Sequence, residues 1–388
     1  MFITKLSTRN LLILTAAGFL LLLAFLWTVH DLTSRTPYIP NEPGWQQVDD
    51  VTYYILDDGF PATGWQKIDG KTYYFRSAGS MVTGWLILDD LHYYFTKDGS
   101  AASGPVTIGH DLYVFHEGGI PASGWASVNG QNLYLDSTGK ALTGLQTIDG
   151  ILYYFGQDGF PCPGWLEHEG STYYIRQDGT ATLGPYVIDG KLHYFASNGQ
   201  EIILVNPWNS IPEDYYVELT NIDSNYQVAA IAYDDLQQML AACKLEGGNP
   251  VICSAYRTQE YQENLYEKKV KNLVATGMTK ENAQKEAATI VAFPGTSEHQ
   301  LGLALDIIDS KNTALNKSQE NTRTQQWLMA NSWKYGWILR YPNGKSDITG
   351  IIYEPWHYRY VGREIAAEIH ELGLCLEEYL ETVSPSVG

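Results

Sequence analysis

Gly64-Trp65-Gln66-Lys67-Ile68-Asp69-Gly70-Lys71-Thr72-Tyr73-Tyr74-Phe75 decides the first half of the fold. Two β-rich runs flank an Asp-Gly pair, and both residues of that pair tolerate the positive φ of a type I′ turn, so the stretch predicts a β-hairpin. The pattern returns with a period of 20 residues. Gly44-Trp45, Gly84-Trp85, Gly124-Trp125 and Gly164-Trp165 fall on it, with Gly104-Pro105, Gly144-Leu145 and Gly184-Pro185 at the remaining places. Aromatic runs follow nine residues after the glycines, as at Tyr53-Tyr54, Tyr93-Tyr94-Phe95, Tyr153-Tyr154-Phe155 and Tyr173-Tyr174. Turn signals lie between, as at Asn129-Gly130, Asp149-Gly150 and Asp189-Gly190. One hairpin cannot bury an aromatic face alone. Stacked copies can, so residues 41–201 are expected to form an all-β solenoid.

The chain of 388 residues is long enough for two or three domains. It holds 28 Tyr and 11 Trp against 11 Phe, a bias toward rings with a polar handle that suits half-exposed binding surfaces. The formal net charge is −19, and residues 41–204 contribute 19 acidic and 7 basic side chains. Such a surface repels nucleic acid, whose binding requires Lys and Arg. A cationic ligand group is compatible with it.

Near the start, Leu11 to Val29 is an uncharged run of 19 residues. As a helix it would extend roughly 28 Å, close to the hydrocarbon thickness of a bilayer. Lys5 and Arg9 precede it, and His30 and Asp31 follow. The positive-inside bias then leaves the N-terminus cytoplasmic and everything after it extracellular. No A-x-A-like cleavage site follows and the run is long for a signal core, so residues 1–35 are expected to be a cytoplasmic tip and uncleaved membrane anchor, with a cleaved signal peptide as the alternative. Cys162, Cys243, Cys253 and Cys375 show no CxxC spacing. Outside the cell, Cys243 and Cys253 are the pair that proximity favours for a bridge.

The period stops after Asn198-Gly199, and the proline-rich stretch Leu204–Tyr215 should be extended. A domain boundary is expected near 202. Helices are expected over Tyr233–Cys243, Thr258–Leu273, Thr279–Val291, Thr324–Tyr335 and Arg363–Leu372, with Thr258 and Thr279 at helix starts. Short β-runs lie between them at Pro250–Cys253, Ala304–Ile308, Gly336–Leu339 and Trp356–Tyr360. This mixture predicts an α+β domain over 202–388.

Three segments of that domain concentrate polar residues: Ser254-Ala255-Tyr256-Arg257-Thr258-Gln259-Glu260-Tyr261-Gln262, Ser297-Glu298-His299-Gln300-Leu301-Gly302-Leu303-Ala304-Leu305-Asp306, and Glu354-Pro355-Trp356-His357. Together they resemble the zinc D,D-carboxypeptidases and D,D-dipeptidases of the VanY type, with the SxHxxGxxxD and ExxWH motifs, over residues 202–373. The repeats resemble the choline-binding and glucan-binding cell-wall repeats of Gram-positive surface proteins.

The first resemblance implies that His299, Asp306 and His357 are zinc ligands. Two imidazoles and a carboxylate suit a catalytic zinc and leave a position for water. It implies that Glu354 is the general base, taking a proton from that water and passing it to the leaving amine. Arg257 would face the substrate, binding a carboxylate or the oxyanion. Gln262 and Ser297 match positions that hold the peptide, and Trp356 would shape the pocket. His370-Glu371 begins like an HExxH helix but reaches Leu374 where the second His would stand.

The second resemblance implies cages for a quaternary ammonium group, built from Trp45, Trp65 and Trp85 with Tyr73 or Tyr74 and Tyr93 or Tyr94. Trp125 and Trp165 lack a Trp in the next repeat, so later cages look incomplete. The implied activity is removal of the C-terminal D-Ala from peptidoglycan stem peptides, at the cell wall and membrane. An L,D-carboxypeptidase acting on tetrapeptide stems, or a non-catalytic wall-binding surface protein, are the alternatives. The implied wall partner is choline on teichoic acid, glucan or another polymer.

Overall fold

The computed structural model describes residues 42–383. The anchor expected over Leu11–Val29 lies outside them, and among the described residues no helix is long and apolar enough to cross a membrane. Two compact units meet in sequence between Leu142 and Thr143.

The first unit is a row of hairpins over residues 44–55, 64–75, 84–95, 104–115 and 124–135, each a two-stranded antiparallel sheet. In the second of them Gly64 pairs with Phe75 and Ile68 with Lys71, which leaves Asp69 and Gly70 alone in the turn. Their φ values are +48° and +80°, the pair of left-handed conformations that a type I′ turn needs. Asn129-Gly130 does the same at +53° and +82°.

Side chains alternate along each strand, so one face of a hairpin turns inward. Ile55, Phe75, Phe95, Phe115 and Leu135 form that buried row, with Ala62, Val82 and Ala102 packed between them. Backbone also links the repeats. Tyr73 bridges to Ser100 and Tyr113 to Lys140. The Ala101 amide donates to Thr72 O at 2.7 Å. At Gly119 the neighbouring chain comes so near that a Cβ would lie 2.5 Å from Tyr94 O, and φ is +79°. Only glycine fits there without strain.

Three further hairpins, at 144–155, 164–175 and 184–195, open the second unit and keep the same plan, with Tyr153 bridged to Thr180. The α+β part follows. A small hairpin, β1 (Leu219–Asn221) with β2 (Gln227–Ala229), leads into α1 (Ala230–Leu245). Then come β3 (Pro250–Ser254), α2 (Gln259–Ala275), α3 (Lys280–Ala288), β4 (Ala304–Asp309), α4 (Arg323–Asn331) and β5 (Trp337–Leu339). A one-turn helix α5 (Ser346–Thr349), β6 (His357–Tyr360), α6 (Arg363–Leu372) and α7 (Leu376–Thr382) complete it.

The main sheet has the order β3-β4-β6-β5 and is antiparallel throughout. All six residues of β4 are buried, as befits a central strand. Leu305 and Ile307 join Leu236, Met239 and Cys243 of α1, Leu328 of α4, Trp337 and Tyr358 in one core. A second core seats the last hairpin. There Ala196, Ile202 and Leu204 pack against Ile338, Val361, Ile365, Leu376 and Tyr379. Ser197 Oγ donates to Glu368 at 2.7 Å across the same seam.

The capping expected at Thr258 and Thr279 is present, their hydroxyls accepting from the Tyr261 and Asn282 amides. Three elements differ from expectation. The Thr279 helix ends at Ala288, because the Thr289 and Ile290 amides close back onto Glu286 and Ala287 carbonyls. Helix α4 stops at Asn331, and a 3-10 turn covers the rest of the expected span. The Cys243–Cys253 bridge does not form, and all four cysteines are free thiols. Cys243 is fully buried on the inner face of α1, whereas Cys253 Sγ faces Asp306 O at 3.5 Å.

Candidate metal centre

Cross-strand register builds the site. Asp306 lies opposite His357 on β6 and Ser254 on β3, so two of the expected ligands are direct neighbours. Opposed residues bring their side chains together on one face of a sheet. His299 arrives from the 3-10 turn Glu298–Leu301, which ends at Gly302 with φ +72°. A Cβ on Gly302 would meet Leu219 at 3.0 Å and the Ala229 amide nitrogen at 3.3 Å, so the reversal that aims His299 at β4 depends on glycine.

Ligand atoms of His299, Asp306 and His357 all lie within 4.8 Å of one another, and all three residues are buried. His299 Nε2 is 3.3 Å from Asp306 Oδ2. His357 Nδ1 is 3.2 Å from Asp306 Oδ1, which makes no hydrogen bond of acceptable geometry despite its burial. The outer nitrogens are engaged elsewhere. His299 Nδ1 is 2.8 Å from Ala255 O, and His357 Nε2 is 3.4 Å from Glu298 Oε2. With protons on those outer nitrogens, both inner ones offer lone pairs, the arrangement typical of metal-bound histidines. Two nitrogen donors and an under-satisfied carboxylate oxygen therefore fit a divalent ion such as zinc.

Glu354 reaches the same place from the turn before β6. Its amide donates to Tyr341 O, its carbonyl accepts from the His357 amide, and its Oε2 lies 3.7 Å from His357 Nδ1. Burial, joined by the charge of Asp306, pushes its carboxyl up to about 8 against the pull of His357 and Arg257. Burial, with Arg257 nearby, drops the His299 imidazole to about 4. Burial would depress His357 as well, but Asp306, Glu298 and Glu354 hold it up at about 9.

Arg257 stands at the rim, donating to Ser254 Oγ at 2.9 Å, Gln262 Oε1 at 3.2 Å and Asp306 Oδ2 at 2.9 Å. A guanidinium has five N–H donors, so two remain for another group. Gln262 is wholly buried and spends its amide on Ala292 O and Arg257. Ser297 is buried at the start of the 3-10 turn, without a capping bond from its side chain. Trp356 is buried beside His357, its carbonyl accepting from the Ile307 amide.

Three residues of the site went unnoticed at the level of sequence: Glu298, Arg340 and Arg359. Glu298 accepts from Arg340 Nε at 2.7 Å and Arg359 Nη1 at 2.9 Å. A signal existed, since an arginine inside a β-run, as in Tyr358-Arg359-Tyr360, or just after one, as in Leu339-Arg340-Tyr341, needs a carboxylate partner if it is buried.

Each of the first three repeat tryptophans meets two tyrosines. Trp45 lies 5.0 Å from Tyr54 and 4.9 Å from Tyr73 of the next repeat. Trp65 lies 5.3 Å from Tyr74 and 5.0 Å from Tyr93. Trp85 repeats the plan with Tyr94 and Tyr113. These tryptophans stay 40–42% exposed, which leaves ring faces open to solvent. Trp165 meets His193 where the others meet a tyrosine.

Residues 225–363 match the family model of VanY, D-alanyl-D-alanine carboxypeptidase. Residues 62–105 match a choline-binding repeat, and 44–59 and 143–159 match a cell-wall-binding repeat. A D-alanyl-D-alanine carboxypeptidase of Enterococcus faecalis is 45% identical over 47% of this chain and 66% of its own length. A bifunctional D-Ala-D-Ala dipeptidase and carboxypeptidase of Enterococcus gallinarum is 35% identical over 35% of this chain and 68% of its own. Among solved structures, a vancomycin-resistance D,D-pentapeptidase VanY in complex with Zn(II) is 44% identical. It covers 46% of this chain and 97% of its own, with a TM-score of 0.43. The chain spans between 50% and 66% of the length of the first curated relatives it matches.

Proposed function

Because the chain belongs to the VanY family of D-alanyl-D-alanine carboxypeptidases, we propose that it removes the terminal D-Ala from peptidoglycan stem peptides with zinc held by His299, Asp306 and His357. The observation that carries this reading is the convergence of those three side chains, with Glu354 beside them. Bound zinc would supply Lewis-acid polarisation of the scissile carbonyl and of the attacking water.

The chain's own residues do the rest. Glu354 takes the proton of the water and returns it to the departing D-Ala amine. Arg257, anchored through three of its donors, offers the other two to the substrate carboxylate or to the oxyanion. Gln262 holds Arg257 in that pose, while Ser297 and Trp356 border the peptide.

Residues 41–201 are proposed as the wall-binding part, a solenoid whose exposed Trp45, Trp65 and Trp85 with Tyr73 and Tyr93 take a quaternary ammonium group, as in choline on teichoic acid. Residues 202–388 are the peptidase, and Leu11–Val29 the anchor that keeps both outside the cell.

The test is incubation of the full chain with synthetic stem pentapeptide and tetrapeptide, with and without a chelator, followed by mass analysis. Loss of one D-Ala from the pentapeptide, abolished by the chelator and restored by zinc, is expected. Cleavage of the tetrapeptide alone would make it an L,D-enzyme. No product from either would leave a wall-binding protein.

A further inference from the structure

Glu298 precedes His299 in the chain, yet its side chain serves the other histidine. Its carboxylate is fully buried, with Oε2 3.4 Å from His357 Nε2. Two arginines hold the opposite oxygen, Arg340 through Nε at 2.7 Å and Arg359 through Nη1 at 2.9 Å. Those arginines are braced in turn. Arg340 makes a two-pronged contact with Glu377 of α7 at 2.8 and 2.6 Å. Arg359 Nη2 donates to Ile203 O at 3.1 Å, and Asn206 Nδ2 donates to Glu377 Oε1 at 3.1 Å. The Tyr341 ring packs against His357 with centroids 4.7 Å apart.

A histidine can present either nitrogen to a cation, and the bond made by the other nitrogen decides which. Among the described residues Glu298 is the acceptor that faces His357 Nε2, while Nδ1 faces Asp306 and Glu354. We infer that Glu298 is a positioning residue for the metal centre: it accepts the Nε2 proton of His357 and so fixes the tautomer that aims Nδ1 at the cation. The two arginines grip the opposite oxygen, so the Glu298 carboxylate is held at His357 and does not swing inward to become a ligand itself. An anionic partner also makes the imidazole a better donor to metal. The inference rests on the metal-site reading above.

The experiment titrates zinc into the metal-free full chain against a chromophoric chelator, for wild type, Glu298→Gln and Glu377→Gln. Glu377→Gln perturbs the same network without touching His357. Glu298→Gln should lose metal affinity about 10–100-fold, while Glu377→Gln stays near wild type although its melting temperature falls. The inference is overturned if folded Glu298→Gln binds as tightly as wild type, or if both variants lose affinity equally. Should Glu298→Gln fail to fold, nitrogen-15 spectra of the zinc-loaded wild type decide instead. Metal on His357 Nδ1 with a proton on Nε2 supports the inference, and metal on Nε2 overturns it. Wild type that binds no divalent ion would remove the metal-site reading itself, an outcome distinct from loss of the Glu298 role alone.

Discussion

Lys71 and Asp98 meet at 2.8 Å on the hairpin row with both side chains more than half exposed, whereas Arg340, which also grips Glu298, meets Glu377 at 2.6 Å with 0% and 9% exposure. The contacts look alike and their consequences should not. Among the first unit's hairpins the ion pairs stay in water, and cohesion comes from the ring row and the backbone links to the next repeat. Around β4 and β6 charge is taken inside, where each ion must be answered by another. The first region is therefore tolerant and evenly loaded. The second is brittle, and its brittleness is what holds Asp306, His357 and Glu354 in place.

The sharpest way to test that contrast is at the reacting atoms. Glu354→Gln should lower turnover of a D-Ala-D-Ala stem peptide about 10²–10⁴-fold while one zinc per chain is retained, read by kinetics and metal analysis. Removing a buried partner comes next. Arg340→Met leaves Glu298 and Glu377 without their shared cation and should cost about 3–5 kcal/mol in denaturant unfolding of the second unit.

Alkaline pH probes the seam between the last hairpin and α7. Burial pushes the Tyr379 phenol up to about 12, and its hydroxyl donates to Glu368 Oε2 at 2.8 Å. The folded value lies above that of an unfolded tyrosine, about 10. Its contribution is therefore complete below about pH 10 and is lost as pH rises through 12. The unfolding free energy across that interval should fall by about 2–3 kcal/mol, and Tyr379→Phe should flatten the dependence.

In the hairpins, Ile55→Val should cost only about 0.5–1.5 kcal/mol. Hydrogen exchange should show the loss confined to neighbouring hairpins, and a loss spread evenly over the chain would break the idea of local loading. Smallest of all, Lys71→Met should leave the melting temperature unchanged within error. A clear drop there would erase the distinction between exposed and buried pairs.

Much of this was legible in the residues. The 20-residue period placed the hairpins and their Asp-Gly and Asn-Gly turns, because a type I′ turn accepts few dipeptides. Thr258 and Thr279 announced helix starts by the same kind of local chemistry. The resemblance to the VanY family pointed to His299, Asp306, Glu354 and His357, and the fold brings those four side chains together. What stayed hidden depends on contacts between distant segments. Glu298 meets Arg340 and Arg359 only after β4, β5 and β6 align, and nothing local to Ser297-Glu298-His299 says which histidine its side chain will serve. Cys243 and Cys253 are ten apart in sequence, but a helix face and a strand separate their sulfurs. Helix α7 was missed because seven residues carry too little periodicity.

The seating of the last hairpin bears on portability. Repeat arrays need a finished end, and here the finish is borrowed: Ala196, Ile202 and Leu204 are covered by β5, α6 and α7 of the neighbouring part. An engineer who severs the chain at 202 to make a wall-targeting tag would strip that lid and expose a greasy stump. A usable tag would carry a substitute lid of its own, or polar replacements at Ala196 and Ile202.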